Sequence, residues 1–494
     1  MISEVLKKAR DYEAKAGAEI KEEERPVFHL TPLAGWMNDP NGFSLYKGKV
    51  HQFYQYYPYK TMWGPMHWGH AVSEDFVKWE YLPAAIAPGD EYDNFGCFSG
   101  SAIEMKDGRQ MLIYTGVRVG EKDGEEIIRQ TQCLAFGDGE NYEKYAANPV
   151  IDASYLPEGW SHEHFRDPKI WLDKKDDCYY MVAGNLTDDG SGSIVLFKSE
   201  NGTDWAFVTV LDRCRNEYGK MWECPDFFEL DGKQLIITSP QFMQARGIEF
   251  HNGNGNIVII GSYDRENHKF TREGVYAIDY GLDFYAMQTT EAADGRRIMT
   301  AWLQSWESSH SVPEGQKWFG QMILPRELSI KNGRLYQMPV REIENYRKDH
   351  LAFKDTIADS KISFPGVSGK VCDMEIEIEP NGSEVYRKFK IEFNANENFR
   401  TSFEYIPAEG IARFDRTYSG FPYDIISKRD IPVNYNGGKI KLRILLDRFS
   451  AEIFINDGEE AFTASLHSPE NADKISFSAE GNAKIDLNFW KIEV

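Results

Sequence analysis

The 494-residue sequence lacks any apolar run near the ~20 residues that a membrane-spanning helix needs. Its first 26 residues contain no apolar core long enough for a signal peptide, and they predict a short charged helix that ends before Pro26. Basic residues are fewer than acidic ones: the sequence has 56 Lys and Arg and 78 Asp and Glu, which gives a formal net charge of −22. This balance argues against nucleic acids and anionic membranes as partners. Because the sequence shows no signal peptide, we expect a cytoplasmic protein.

Cysteine is also scarce. The six cysteines are scattered along the chain, and none forms a CxxC pair. This pattern argues against a disulfide framework or a zinc site and predicts reduced thiols.

What the sequence does contain is a repeated hairpin pattern. Short runs of alternating apolar residues are separated by Gly, Asn and Asp, which indicates β-strands. Turn centres recur near residues 48, 108, 175, 232 and 295, with spacings of 60, 67, 57 and 63 residues. Asp-Gly between such runs is a strong hairpin signal. Five units of this length predict an all-β chain with a five-bladed β-propeller over residues 27–340. A pair of stacked β-sandwiches is the alternative.

The remainder of the chain has a different pattern. Residues 341–351 predict a short helical linker, and residues 352–494 contain further strands with hairpin turns at Asn436-Gly437 and Asp457-Gly458. A C-terminal β-sandwich is the natural interpretation. We expect a structural role for it, or a contact between copies in a homo-oligomer.

Carboxylates stand at the mouth of the innermost predicted strand in three of the five units. They are Asp39 in WMNDPNG, Asp167 in FRDPKIW and Glu223 in WECPDFF. Asp-Pro alone is typical of turns, but inner strands of a propeller converge on one channel, so three acids in register favour a site. Two facing carboxylates are the groups that cleave glycosides. The fifth unit offers Asp283 and Tyr285 at the same place. Aromatic residues that would wall such a pocket are Trp36, Trp63, Phe98 and Trp302.

Two other chemistries fit this pattern less well. Three acids could hold Ca²⁺, but none lies in a D-x-D-x-D-G loop, and Arg166 beside Asp167 would oppose a cation. Ser99 as a nucleophile lacks the G-x-S-x-G elbow. We therefore expect neither a metal nor a cofactor.

The three motifs, in this order, resemble the β-fructofuranosidases of glycoside hydrolase family 32: invertases, sucrose-6-phosphate hydrolases, inulinases and levanases. The resemblance covers nearly the whole chain, including residues 51–93, 414–420 and 442–459. It implies a five-bladed propeller with a β-sandwich. It also implies hydrolysis of terminal β-fructosides, so the substrate would be a small sugar.

The resemblance also implies roles for single residues. Asp39 would be the nucleophile, Glu223 the acid/base, and Asp167 the residue that holds fructose hydroxyls and stabilises the transition state. Positions that it places in the fructose pocket are Asn38, Gln55, Trp63, Phe98, Ser99, Arg166 and Trp302. A fructosyltransferase would share all of these residues, whereas a non-catalytic sugar-binding propeller would normally have lost an acid. The leaving group stays open among glucose, glucose 6-phosphate and fructose units.

Overall fold

The computed structural model describes residues 2–122, 125–421 and 425–494. Five β-sheets surround a channel, and two six-stranded sheets follow them. The expected five-bladed propeller with a C-terminal sandwich is thereby confirmed. In the described part of the chain, no helix is long and apolar enough to cross a lipid bilayer.

A short helix precedes the propeller, as its charged sequence predicts. Helix α1 spans Glu4–Gly17, and the hydroxyl of Ser3 caps it by accepting the backbone N–H of Leu6. The buried carboxylate of Glu13 accepts the backbone N–H of Ala84 at 2.8 Å. This bond ties α1 to the outer strand of the first blade. Shorter 3₁₀ turns elsewhere span Glu22–Glu24, Ala153–Tyr155, Arg341–Tyr346 and Pro407–Glu409.

Each blade is an antiparallel sheet whose first strand lies innermost. Blade I contains β1 (Gly35–Tyr46), β2 (Lys49–Tyr57), β3 (His67–Ser73) and β4 (Trp79–Ile86). Blade II contains β5 (Gly96–Glu104), β6 (Gln110–Lys122), β7 (Glu125–Gly137) and β8 (Tyr142–Lys144). Blade III contains β9 (Phe165–Asp173), β10 (Cys178–Leu186), β11 (Gly192–Ser199) and β12 (Ala206–Arg213). Blade IV contains β13 (Trp222–Leu230), β14 (Lys233–Pro240), β15 (Ile257–Asp264) and β16 (Lys269–Ala277).

Blade V closes the ring. It supplies β17 (Tyr285–Glu291), β18 (Arg297–Trp302), β19 (Trp318–Phe319), β20 (Arg326–Lys331) and β21 (Arg334–Pro339). Strand β19 leaves this blade and pairs in parallel with the start of β1, at Gly35 and Trp318. The inner strands β1, β5, β9, β13 and β17 each contact the next one around the channel, and β17 contacts β1. The five predicted hairpin turns all join the first and second strands of a blade.

Every inner strand has a break in its pairing register. The breaks lie at residues 38–39 of β1, 99 of β5, 167–168 of β9, 224–225 of β13 and 286–287 of β17. Such bulges insert extra residues into a strand and change the direction of its side chains. Non-glycine residues with positive φ occupy three of them: Asp167 (62°), Cys224 (49°) and Ala286 (58°). Residues of this kind rarely adopt that conformation unless their surroundings impose it.

Side chains of the preceding blade bond the backbone N–H groups at these bulges. Asn41 of blade I accepts from Gly100 at 3.2 Å, and Thr115 of blade II accepts from Asp167 at 2.9 Å. Asp167 in turn accepts the N–H of Cys224 at 2.9 Å, and Ser239 of blade IV accepts that of Ala286 at 2.9 Å. Neighbouring blades therefore stabilise each other's irregular backbone.

The C-terminal strands form two packed sheets. In chain order they are β22 (Arg347–Ala358), β23 (Lys361–Ile362), β24 (Cys372–Pro380), β25 (Lys388–Ala395), β26 (Arg400–Ile406), β27 (Ile411–Tyr418), β28 (Lys428–Pro432), β29 (Ile440–Asp447), β30 (Ser450–Ile455), β31 (Glu460–Ser465), β32 (Lys474–Glu480) and β33 (Asn482–Ile492). One sheet has the order β22-β33-β24-β29-β30-β31, and the other has the order β23-β32-β25-β26-β27-β28. Their inner faces share one hydrophobic core.

The expected linker 341–351 needs a correction. It is helical only as far as Tyr346, and Arg347 already pairs with Ile492 as the first residue of β22. The segment lies at the edge of its sheet and is largely solvent-exposed, so it lacks the alternating apolar pattern of a buried strand.

A buried network of charges joins the propeller to the sandwich. The guanidinium of Arg326, in blade V, donates to Glu452 of the sandwich at 3.1 Å and to Asp279 at 2.8 Å. The His29 ring lies between Asp447 and Glu452, at 2.8 and 2.9 Å. Burial would lower the pKa of His29, but hydrogen bonds to the two carboxylates raise it to about 9. All these side chains are completely buried.

Replacing Glu452 with Gln should destabilise the whole protein. The change leaves Arg326 and His29 buried without a shared counter-charge, a loss that amounts to about 3–5 kcal/mol for buried pairs. We expect a lower melting temperature in calorimetry. Asp486→Asn, which breaks an exposed ion pair with Lys354, is the control and should leave the melting temperature unchanged. Equal melting temperatures for the two variants would contradict the importance of the network.

Candidate active site

Asp39, Asp167 and Glu223 come together at one end of the channel, which we call the acidic end. The Cys224 thiol connects two of them, because its sulfur lies 3.5 Å from Asp39 Oδ2 and 3.8 Å from Asp167 Oδ2. Glu223 is the residue directly before that cysteine. The structure thus brings together the acids of blades I, III and IV.

Asp39 is bound only by uncharged donors. Ser99 Oγ donates to Asp39 Oδ2 at 2.7 Å, and Asn38 Nδ2 donates to Oδ1 at 3.1 Å. The indole N–H of Trp36 donates to the Asn38 amide oxygen at 2.8 Å and so fixes the direction of that amide. Burial raises the pKa of Asp39, and the bonds from Ser99, Asn38 and Cys224 oppose this rise. They favour the ionised carboxylate.

Glu223 contacts Arg166, the one cation among the described residues of the cluster. Arg166 Nη1 donates to Glu223 Oε1 at 3.0 Å, and the Tyr285 hydroxyl donates to Oε2 at 2.6 Å. Arg166 also donates through Nη2 to His164 Nδ1 at 2.6 Å. Burial raises the pKa of Glu223, the Arg166 charge lowers it, and the Asp39 charge raises it again. The net direction is upward, as proton donation at neutral pH requires.

Asp167 is the most deeply buried of the three acids. Burial and the charge of Glu223 raise its pKa to about 8, while Arg166 opposes the rise. Three carboxylates with one cation in a buried site repel each other, so the site keeps a proton at neutral pH. That proton belongs to Asp167 and Glu223 jointly, because interacting acids titrate as a unit.

A second layer of polar side chains fills the channel below the acids. Lys169 Nζ lies 3.3 Å from Asp226 and donates to the carbonyl of Thr289 at 2.6 Å. Asp226 also accepts the Thr289 N–H at 2.8 Å, and Ser101 Oγ donates to the Pro168 carbonyl at 2.7 Å. The guanidinium of Arg297 acts on the charges of both Lys169 and Asp226, and this layer forms the floor of the site.

Most of the predicted pocket residues do lie at the acidic end. Asn38, Ser99 and Arg166 contact the acids directly. Trp63 is 38% exposed, and its ring lies 5.9 Å from those of both Phe98 and Phe95. It therefore forms an aromatic wall beside Asp39, whose Oδ2 is bonded to the residue after Phe98.

One predicted channel residue lies elsewhere, and two predicted pocket residues are buried beside the acidic end. Trp302 has no exposed surface and lies behind Trp36, with ring centres 6.0 Å apart. Gln55 is almost fully buried and donates to the carbonyl of Cys97 at 3.0 Å. Trp302 packs in one apolar cluster with Phe98, Cys224 and Tyr285, and Trp302 and Gln55 both stay pocket predictions. Asp283 faces the sandwich instead of the channel, where it binds Arg416 and Ser465.

Sequence reasoning missed the roles of Cys224 and Thr115. Strand alternation predicts that Cys224 points away from the side of Glu223, and only the bulge turns its thiol between two acids. Proline at position 225 was the one available signal, because a proline inside a strand often marks a bulge. Thr115 carries no signal, since it lies on the second strand of its blade. In the described residues, no group of three or more His, Cys, Asp or Glu is arranged to hold a metal ion.

Comparison with known proteins gives the family. The profile of the Glycosyl hydrolases family 32 N-terminal domain matches residues 29–339, and that of the family 32 C terminal matches residues 342–491. The chain belongs to glycoside hydrolase family 32. The two matches correspond to the propeller and the sandwich.

Relatives at similar length agree with this assignment. A sucrose-6-phosphate hydrolase of Zymomonas mobilis is 39% identical, over 99% of this chain and 96% of that protein. A raffinose invertase of Escherichia coli is 35% identical, over 94% of this chain and 95% of that protein. A variant of the GH32 β-fructofuranosidase of Bombyx mori, solved in complex with sucrose, is 33% identical with a TM-score of 0.84, covering 99% of this chain and 98% of that one.

The repulsion among the acids should make this family 32 protein less stable at neutral pH. The pKa of Asp167 rises on folding from about 4 to about 8, so its contribution to the free energy of folding becomes increasingly unfavourable between those pH values. Asp167→Asn should therefore raise the melting temperature at pH 7.5, by about 2 °C for each kcal/mol relieved, and leave it unchanged at pH 4.

Asp226→Asn is the matched control for that measurement. It removes the carboxylate that neutralises Lys169 in the same channel and should lower the melting temperature at pH 7.5. If Asp167→Asn also lowered the melting temperature at pH 7.5, the proposed repulsion would be wrong.

Proposed function

We propose that the protein hydrolyses terminal β-D-fructofuranosides, such as sucrose, with retention of configuration. The observation that carries the proposal is the pair of Asp39 and Glu223 at the acidic end, one bound by neutral donors and the other kept protonatable. Retaining glycosidases need such a pair of differently tuned carboxylates. The relatives support the substrate class, since they are named as hydrolases or as an invertase of sucrose-type sugars.

Asp39 is the nucleophile in this proposal. Its carboxylate faces the opening without a cation to neutralise it, and Asn38 and Ser99 hold its orientation. It attacks the anomeric carbon of the fructosyl unit and forms a covalent fructosyl-enzyme. Trp63 and Phe98 exclude water on one side of the sugar.

Glu223 is the acid/base. Its raised pKa lets it give a proton to the oxygen of the leaving sugar, and it then accepts a proton from the water that releases fructose. Arg166 and Tyr285 hold the carboxyl group and stabilise the ionised form that follows the first step.

Asp167 holds fructose hydroxyls in this proposal. Its position is fixed by the N–H of Cys224, which donates to its carboxylate. A carboxylate bonded to substrate hydroxyls stabilises positive charge that develops on the sugar ring in the transition state. No feature of the site favours transfer of fructose to a second sugar over hydrolysis. The cytoplasmic location and the homo-oligomer stay predictions.

Removing Asp39 and removing Glu223 should have different consequences. Asp39→Asn and Glu223→Gln should each lower kcat for sucrose by roughly 10³-fold or more. Glu223→Gln should still react with an activated substrate such as β-D-fructofuranosyl fluoride, because fluoride leaves without protonation. The fructosyl-enzyme should then accumulate, since no base activates water. Intact-protein mass spectrometry of the quenched mixture measures the adduct, and peptide mapping should locate it at Asp39.

The two other acid variants provide the comparison. Asp39→Asn should form no adduct, and Asp167→Asn should slow both steps without trapping one. An adduct on Asp39→Asn, or one mapped to the peptide around Asp167, would mean that the nucleophile is wrongly assigned.

The partners of Glu223 should set the alkaline limit of activity. Arg166 and Tyr285 lower the pKa of Glu223, so removing either raises that pKa and keeps the acid protonated to higher pH. Arg166→Gln should move the alkaline limb of the kcat/KM profile upward by about one pH unit or more, and Tyr285→Phe should move it upward by less. Thr238→Val is the control, because Thr238 bonds only the backbone carbonyl of Glu223. A downward shift would show that Glu223 is not the group that titrates there.

A further inference from the structure

An exposed aromatic residue stands beside the acid/base strand. Phe242 follows β14, whose residues Ser239 and Pro240 pair with Glu223 and Trp222. Three residues of chain reach no further than about 10 Å, so Phe242 lies at the same rim of blade IV as Glu223. Phe242 is 63% exposed, and its ring pairs with no other aromatic ring in residues 2–122, 125–421 and 425–494.

The backbone of Phe242 is strained. Its φ is 56°, a conformation in which a bulky side chain crowds its own backbone and which glycine adopts without cost. A buried aromatic residue could offset such strain by packing, but Phe242 is mostly exposed and gains little from packing. Packing within the free protein therefore gives little reason for a phenylalanine at this position.

Hydrogen bonds on both sides impose this conformation. The N–H of Gln241 donates to Met221 and its carbonyl accepts from Lys220, both at 2.8 Å. Met243 donates to Gly253 at 2.7 Å and accepts from it at 3.2 Å. The backbone of Phe242 is thus fixed between two doubly bonded residues. Strain imposed in this way is typical of functional positions.

The position of Phe242 on blade IV determines which part of a bound substrate its ring can contact. Trp63, the exposed aromatic beside Asp39, belongs to blade I, and blades I and IV are not neighbours around the channel. Fructose bound to Asp39 therefore lies toward Trp63, and the sugar that leaves under protonation by Glu223 lies toward blade IV. A flat apolar ring is the group that binds the C–H face of a hexose.

We propose that Phe242 is a specificity-determining residue that stacks on the hexose ring of the leaving group. The proposal rests on the assignment of Glu223 as acid/base, and it concerns the leaving sugar alone. Sucrose and methyl β-D-fructofuranoside share the fructosyl unit, and only sucrose carries a leaving hexose. Phe242 therefore acts on the first substrate and not on the second.

Steady-state kinetics of two truncated variants tests the proposal. Phe242→Ala and Phe242→Gly should each raise KM for sucrose roughly five- to tenfold, the effect of one lost aromatic stacking contact. KM for methyl β-D-fructofuranoside should stay within about twofold of the wild type. Phe242→Tyr keeps the ring and should keep both values. Tyr435→Ala removes an equally exposed aromatic (62%) from the sandwich and is the control.

Thermal stability separates function from folding. Phe242→Gly should melt above the wild type, because glycine relieves the positive φ, whereas Phe242→Ala keeps a Cβ and should not. A variant that is more stable and yet weaker for sucrose cannot be explained by misfolding.

The outcomes are distinguishable. An unchanged KM for sucrose in both truncated variants would overturn the proposal, as would an equal rise for both substrates. A wild-type dimer that Phe242→Gly converts to a monomer with unchanged KM would assign the ring to an interface instead. If the wild type cleaved neither substrate, the proposed function itself would fail.

Discussion

Pairing breaks near the start of every inner strand of the propeller, and the site depends on where these breaks lie. In a regular strand, residues on one face are two apart. Glu223 and Asp226 are three apart, yet each bonds side chains or backbone of both β9 and β17. The bulge at Cys224-Pro225 makes this possible, and it also brings the Cys224 thiol to Asp39. A propeller with regular inner strands would have the same blades and no cluster of acids.

Such irregular backbone must be stabilised from outside the strand. In four blades a side chain from the preceding blade accepts the N–H at the bulge, and Asp167 is one of these acceptors. The same contacts between neighbouring blades therefore close the ring and shape the site. The buried charges between the propeller and the sandwich also support the site. Arg326 fixes blade V, and blade V supplies the hydroxyl that is bonded to Glu223. In its described residues, 347–421 and 425–494, the sandwich contributes nothing to the acid cluster but stabilises the blade next to it.

Features encoded within a few residues could be predicted from the sequence. Each hairpin turn is specified by local chemistry such as Asp-Gly, so their spacing gives the number of blades, and Asp-Pro or Cys-Pro marks the three acids. Features that depend on distant partners could not be predicted. Asp283 binds Arg416, far along the chain, and Trp302 lies behind Trp36 because of how blade V meets blade I. The start of β22 was missed because an exposed edge strand has no apolar alternation.

The two layers of the channel show why chemistry occurs at one end only. The same two inner strands supply a cation and an acid to each layer: Lys169 with Asp226 in the floor, and Arg166 with Glu223 above it. In the floor Lys169 and Asp226 bond each other, and Arg297 adds a second cation beside them. At the acidic end Asp39 and Asp167 add two more acids without another cation, so protons are held there and neutral donors must orient the carboxylates. The acidic end therefore carries excess negative charge, which a bound proton or a positively charged transition state can neutralise. A site that cleaves fructosides requires this property.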